Sequence, residues 1–209
     1  MKDLFVLAAD KNIEAGISML LKRHEALWIR PISFDSATHP RRDPGCFHEC
    51  HEFLRPFRGQ YLHALVIFDA AWEGAVAAAR ELLEGEVRNR FNQTGMSDYA
   101  DVVVIAPELE VWVWSDSPHV DRILGWESSL VRLRTWLEEV GLWKPDELKP
   151  DDPKAAVEVT LERARIARSS SIYAQLASSV SVDRCSDGAF ADLKHLLRRW
   201  FPRHPEATG

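Results

Sequence analysis

Along the first half of the chain, runs of consecutive apolar residues alternate with segments whose apolar positions recur every three or four residues. Asp3 to Ala9 is a short apolar run, and from Lys11 to Arg23 the residues Ile13, Ile17, Leu20 and Leu21 keep helical spacing, so a strand feeding a helix is predicted. Leu27 to Phe34 offers a second extended run, and Pro31 inside it points to an edge position or an irregularity. Leu62 to Asp69 reads LHALVIFD, the continuous apolar pattern of a strand buried on both faces. Val76, Ala79, Leu83 and Val87 then mark a helix, and Asp101 to Ala106, DVVVIA, a further buried strand. Strands alternating with helices require crossover connections and therefore parallel pairing.

The second half changes character. Leu130, Leu133, Leu137 and Val140 define one helix, Val157, Leu161 and Ala164 a second, Ile172, Leu176 and Val180 a third, and Phe190, Leu193, Leu197 and Trp200 a fourth. Between the halves, Trp143 to Lys154 carries three prolines and several acids and reads as a linker. Residues Asp35 to Gly59 read as a connection longer than compact α/β units need, a length often kept for function. The organisation expected is an α/β domain over residues 1–142, with a linker and C-terminal helices over 143–209 packed on that same domain.

Composition bounds this picture without redirecting it. With 209 residues, 46% hydrophobic and 28% charged, one domain with a real core is expected. No apolar run approaches the length of a membrane helix, and no basic region followed by a long apolar stretch opens the chain, so no membrane partner and a cytoplasmic location are expected. Three cysteines, Cys46, Cys50 and Cys185, cannot all pair within one chain, which fits a reducing compartment. The formal net charge of −6 argues against nucleic-acid binding by long-range attraction, although a local basic patch or a bridging metal would still hold phosphate.

Acidic residues follow the predicted strands, where an open parallel sheet places its ligand crevice. Asp10 follows the first, Asp35 the second, Asp69 the third with Glu73 close behind, and Glu108 and Glu110 the fourth. Carboxylates converging on one crevice repel unless a cation neutralises them, and such oxygen ligands suit magnesium or manganese. Asp10, Asp69 and Glu110 are the candidate metal ligands, and Asp69, Glu73 and Glu110 the candidate catalytic residues. Each acid taken alone also suits a helix N-cap, which accounts for Asp10 and Asp69 without chemistry. In PELEVWVWSD, Pro107 to Asp116, the proline and acids favour a helix start while Val111 to Trp114 favours a strand; only one of Glu108 and Glu110 is expected to face the crevice.

Other clusters compete. His39, Cys46, His48, Cys50 and His51 carry zinc-type ligands, but Cys-x-His-x-Cys-His matches no common finger or ribbon and no second Cys pair is near. A solvated helix from His48 to Phe57 explains the same residues. Arg41, Arg42, Arg55 and Arg58 make this stretch basic, as Arg198, Arg199 and Arg203 do the C-terminal end, and such clusters either bind phosphate or form a solvated face. Eight tryptophans, Trp112, Trp114, Trp126, Trp136 and Trp200 among them, suit packing at the junction of sheet and helices or a homo-oligomer interface.

An early strand and helix, a later strand ending in Asp69 and a PELExW segment together resemble the Toprim-like domains of bacterial defence proteins, related in fold to overcoming-lysogenization-defect nucleases. HPRRDPGCFHECHEFLRPF from His39, HALVIFD, PELEVWVWSDSPHV and the DPK of Asp152 to Lys154 resemble a small family within the methylation-associated defence system. The resemblance covers most of the chain and implies a mostly parallel Toprim-like sheet flanked by helices. Toprim domains, as the resemblance implies, use a Glu after the first strand and Asp-x-Asp after a later one to bind magnesium for cutting or joining DNA. Here Ala8, Ala9 and Asp10 follow the first strand, and Ala71 stands where the second Asp would be. A lost carboxylate removes both charge and coordination. The expectation is an accessory component of a multi-protein antiphage system, with weak magnesium binding at best, whose partners are other defence proteins and nucleic acid. An active magnesium-dependent nuclease using Asp10, Asp69, Glu73 and Glu110 is the alternative, and a zinc-bound scaffold a further one.

Overall fold

The computed structural model describes residues 1–72, 79–115 and 117–203. Strand β1 (Lys2–Ala8) leads into α1 (Lys11–Leu21) and the single turn α2 (His24–Leu27); β2 (Phe34–Thr38) is followed by α3 (Arg42–Leu54), and β3 (Tyr61–Asp69) by α4 (Arg80–Gln93) and β4 (Ala100–Ile105). Beyond a 3-10 turn at Leu109–Trp112 come α5 (Pro118–Ile123), α6 (Leu133–Glu139), α7 (Pro153–Ala164), α8 (Ser170–Ser179) and α9 (Gly188–Trp200). The four strands form one sheet in the order β2-β1-β3-β4, and every pairing is parallel. The α/β class with a helical C-terminal part is thus as the sequence pattern predicts.

The apolar runs explain the sheet's centre. Leu4 to Ala8 and Ala64 to Phe68 are each at most 3% exposed, as strands covered by helices on both faces must be. α1 buries Ile13, Gly16, Ile17, Leu20 and Leu21, one stripe at helical spacing. It packs on β1 and β2 and is covered in turn by α8, while α3 packs on β1 and β3 and touches α4. Right-handed crossovers account for the division, because the chain steps from β1 outward to β2 and then back across β1 to β3, which puts α1 on one face and α3 and α4 on the other. That reversal lies between β1 and β3.

Three expectations are corrected. The second strand is Phe34–Thr38, not Leu27 to Phe34: Leu27 ends α2, and an isolated bridge joins Ile29 to Pro202. The strand is at the sheet's edge, as Pro31 suggested for that region, but its half-buried FDSAT lacks an apolar run. Residues Asp35 to Gly59 are not one long loop, since they hold most of β2 and the whole of α3, whose inner face is Gly45, Cys46, Phe47, Cys50 and Leu54. The predicted helix at Leu130 to Val140 is shorter, because Leu130 is fully exposed and Val140 half exposed. Val76 lies outside the described residues.

The C-terminal helices pack on the sheet domain. α8 lies along α1, α9 touches β4 and α2, and α7 meets the 3-10 turn after β4. Arg23, between α1 and α2, donates to the carbonyls of Ala177 and Val180 at the end of α8, and Arg198 of α9 to the carbonyl of Leu27. Among the described residues no helix is long and apolar enough to cross a membrane.

A mixed-charge crevice at the switch of the sheet

At the carboxyl ends of β1, β3 and β4 the described residues line an open crevice of about 1110 Å³. It falls where the strand order reverses, the position at which open α/β sheets bind ligands. Asp10, Asp43, Asp69 and Glu108 line it together with Arg41, Arg42, Lys154 and Arg168. Carboxylates and cations therefore meet in one cleft, and their local partners decide what each can still do.

Asp10 caps α1: its Oδ1 accepts the N–H groups of Asn12 and Ile13, both at 2.9 Å. The bland reading of that residue accounts for one of its two oxygens. Asp69 behaves otherwise. It closes β3, its N–H donates to Oδ1 of Asp43 at 3.0 Å, and its own Oδ1 is buried without a hydrogen-bond partner among the described residues. It caps no described helix, since α4 begins only at Arg80 after Ala79. Burial, and then the charges of Asp43, Glu110, Asp10 and Glu108, push its carboxyl well above the usual carboxylate range. Burial also raises Asp43, against the opposing pull of the Asp69 N–H and Arg42. Asp69 and Asp43 thus form a crowded pair that favours holding a proton, or a cation, more than isolated carboxylates do.

The structure divides the PELE acids differently from the sequence reading, which chose Glu110 to face the crevice. Glu108 lines the crevice, paired with Lys154 at 2.7 Å. Glu110 sits in the wall, 1% exposed, where its Oε1 accepts from Arg168 and from the Tyr173 hydroxyl. The charge of Glu110 in turn helps raise the Tyr173 phenol, chiefly a burial effect. Asp35 is not at a strand's carboxyl end, because it lies inside β2 opposite Phe5 and is taken by Lys2 and Tyr61. Glu73 lies outside the described residues.

Asp43 and the two arginines before it come from the stretch that reads as loop. A tight turn, residues 39–45, carries them. His39 is 6% exposed, its Nδ1 accepts the Arg41 N–H at 3.1 Å and its carbonyl the Arg42 N–H at 3.0 Å. Burial lowers its pKa, which keeps the ring neutral and Nδ1 free to accept. A Cβ at position 45 would lie 1.9 Å from His39 Nδ1, so only glycine lets the helix pack on this ring. The Pro44-Gly45 pair was visible in the sequence, but nothing in the pattern showed the buried histidine it accommodates.

The other proposed ligand set is dispersed. On α3, Cys46 and Cys50 point inward and are buried, their thiols raised by burial, Cys50 to about 12, while His48 is exposed and His39 is committed to the turn. Among the described residues no three His, Cys, Asp or Glu side chains gather closely enough to hold a metal ion. Asp69, Asp43 and the second oxygen of Asp10 are the crevice's candidate donors for magnesium, and they fall short of a ready three-carboxylate site. Ala8 and Ala9 are buried in the core, and the Ala71 N–H is spent on the Pro107 carbonyl. Comparison with known proteins found no match, whether to a family model, to a curated protein or to a solved structure.

Proposed function

We propose that this chain is a Toprim-like accessory component of a multi-protein bacterial defence system, and that its crevice holds nucleic-acid phosphates with metal-dependent cleavage weakened or lost. The observation that carries the reading is the meeting of Arg41, Arg42, Lys154 and Arg168 with Asp10, Asp43 and Asp69 at the switch point of a parallel sheet. Cations at that place, Arg42 above all, which has no ion pair among the described residues, offer phosphate a local partner despite the chain's net negative charge. The resemblance carried by HALVIFD, PELEVW and DPK supports the defence setting. Against retained chemistry stand Ala71, the commitment of Glu110 to Arg168 and Tyr173, and the spending of one Asp10 oxygen on α1.

A second reading, an active magnesium-dependent nuclease, is favoured by one feature, the unpartnered Asp69 Oδ1 among neighbouring acids. Bound metal there would polarise a phosphodiester and supply an activated water. One assay separates the two. Labelled DNA and RNA are incubated with purified protein, first with EDTA and then with millimolar magnesium. Salt-sensitive binding in EDTA without cleavage in magnesium is expected. Robust cleavage, lost in Asp69→Ala, would make the protein an enzyme, and absence of binding in both buffers would remove the nucleic-acid reading. Neighbouring genes encoding a methyltransferase and other defence proteins are expected in the genome.

A further inference from the structure

Three of the crevice's cations are already neutralised. Arg41 pairs with Glu49, Lys154 with Glu108, and Arg168 with Glu110 and Glu158. Arg42 differs: it is exposed, and its guanidinium makes no ion pair or hydrogen bond among the described residues. Its backbone is also unusual, with φ at +49. The other non-glycine residues of positive φ, Trp28 and Arg165, are helix C-caps, where the left-handed conformation satisfies the last carbonyls. Arg42 opens a helix, so capping does not explain it. A bulky residue held there costs stability, and the surrounding turn imposes it through buried His39 and through Gly45. Strain that places over a ligand crevice a cation with no ion pair among the described residues, its charge felt by Asp43, is the arrangement expected of a recognition residue.

A second feature lines the same crevice. Trp72 is partly buried and lines it. Its ring is held edge-on against Phe68 at 5.8 Å and tilted against Phe47 at 5.6 Å, both of them core residues. A ring fixed from behind, with exposure towards the cleft, is a platform on which a base stacks.

Resting on the reading of the crevice as a phosphate site, we infer that it binds single-stranded nucleic acid, with Arg42 on a backbone phosphodiester and Trp72 stacking an adjacent base. Charge argues for a diester over a terminal phosphate. One guanidinium with no ion pair among the described residues matches one negative charge, whereas a terminal phosphate would bring nearly two beside Asp10, Asp43, Asp69 and Glu108. Free stacking faces argue for single strands, because in a duplex each base face is covered.

The test measures binding of a fluorescent oligonucleotide of about a dozen nucleotides in EDTA, with a duplex of the same sequence and a nucleoside monophosphate as competitors. Wild type is expected to prefer the single strand to both. Arg42→Gly, which keeps the left-handed backbone and removes the guanidinium, is expected to weaken binding about tenfold and flatten the salt dependence by about one charge, with Tm equal to or above the parent's. Trp72→Ala is expected to weaken binding to a similar degree without altering the salt slope. Single-strand binding by wild type that both variants retain in full would overturn this inference and leave the phosphate crevice standing. A monophosphate or duplex that competes equally well would overturn it too, and no binding of any nucleic acid would fall on the underlying function.

Discussion

Asp69 concentrates the conflict between folding and function in one residue. Its carboxyl is raised by burial and by Asp43, Glu110, Asp10 and Glu108, and its Oδ1 finds no partner among the described residues. An acid whose folded pKa lies above its unfolded value binds more protons folded than unfolded. Stability therefore rises as pH falls through the folded pKa, and the penalty is fully present at higher pH. Asp69→Asn removes the charge and keeps the shape. In metal-free buffer it is expected to raise Tm near neutral pH by about 2–4 °C, what roughly 1 kcal/mol is worth in a chain of this size, and to lose that advantage as pH falls towards 4. Thermal scans across pH would show it. An Asp69→Asn protein less stable than the parent at neutral pH would mean that the carboxylate is satisfied in solution, by a cation or by waters.

At the scale of elements, legibility tracked burial pattern. β1, β3 and β4 could be read because both their faces are covered, and α1, α7 and α9 because apolar residues recur at helical spacing along their inner faces. β2 and α3 could not: FDSAT is a polar, half-buried edge strand, and α3 presents Gly45, Cys46 and Cys50 inward after a proline at its third position. Because the alternative helix began only at His48, the first turn of α3 read as loop and Asp43 and the turn that delivers it escaped notice, while the crevice's position at Asp10 and Asp69 followed directly from the strand ends. The choice of Glu110 over Glu108 failed because the chain enters a 3-10 turn there, and because Arg168 and Tyr173, 58 and 63 residues on, claim Glu110. A different buried acid, also invisible as such in sequence, ties α4 to the sheet. Glu84 is 3% exposed, accepts the Val104 N–H at 3.0 Å and pairs with both Arg80 and Arg88. Glu84→Ala leaves a buried N–H and two arginines short of a partner, and is expected to cost about 3 kcal/mol in urea unfolding; a cost below about 1 kcal/mol would show the network to be peripheral.

For the molecule as a whole, the question is whether the C-terminal helices are an appendage or part of the fold. Tyr173 and Leu176 of α8 are buried beside Gly16, Ile17 and Leu20 of α1, and Leu193, Leu196 and Leu197 of α9 and Phe201 complete the side towards β4 and α2. Fully burying one such side chain contributes about 1.5–3 kcal/mol. A handful of them therefore matches the whole net stability of a domain, about 5–15 kcal/mol. Polar groups are tied in the same way, because Arg168 and Tyr173 supply the guanidinium and the hydroxyl that meet the buried Glu110 carboxylate near Asp69. A chain of residues 1–142 is accordingly expected to lose cooperative unfolding and to expose apolar surface, read as loss of near-ultraviolet circular dichroism and gain of hydrophobic-dye binding. Tyr173→Phe tests the polar link alone: it removes one donor to Glu110 while leaving the ring in place, and should cost about 1–2 kcal/mol in the full chain. If residues 1–142 instead unfold cooperatively with native near-ultraviolet signal, the crevice would be the property of a self-sufficient sheet domain, and Arg168, with its hold on Glu110, would be an addition to it.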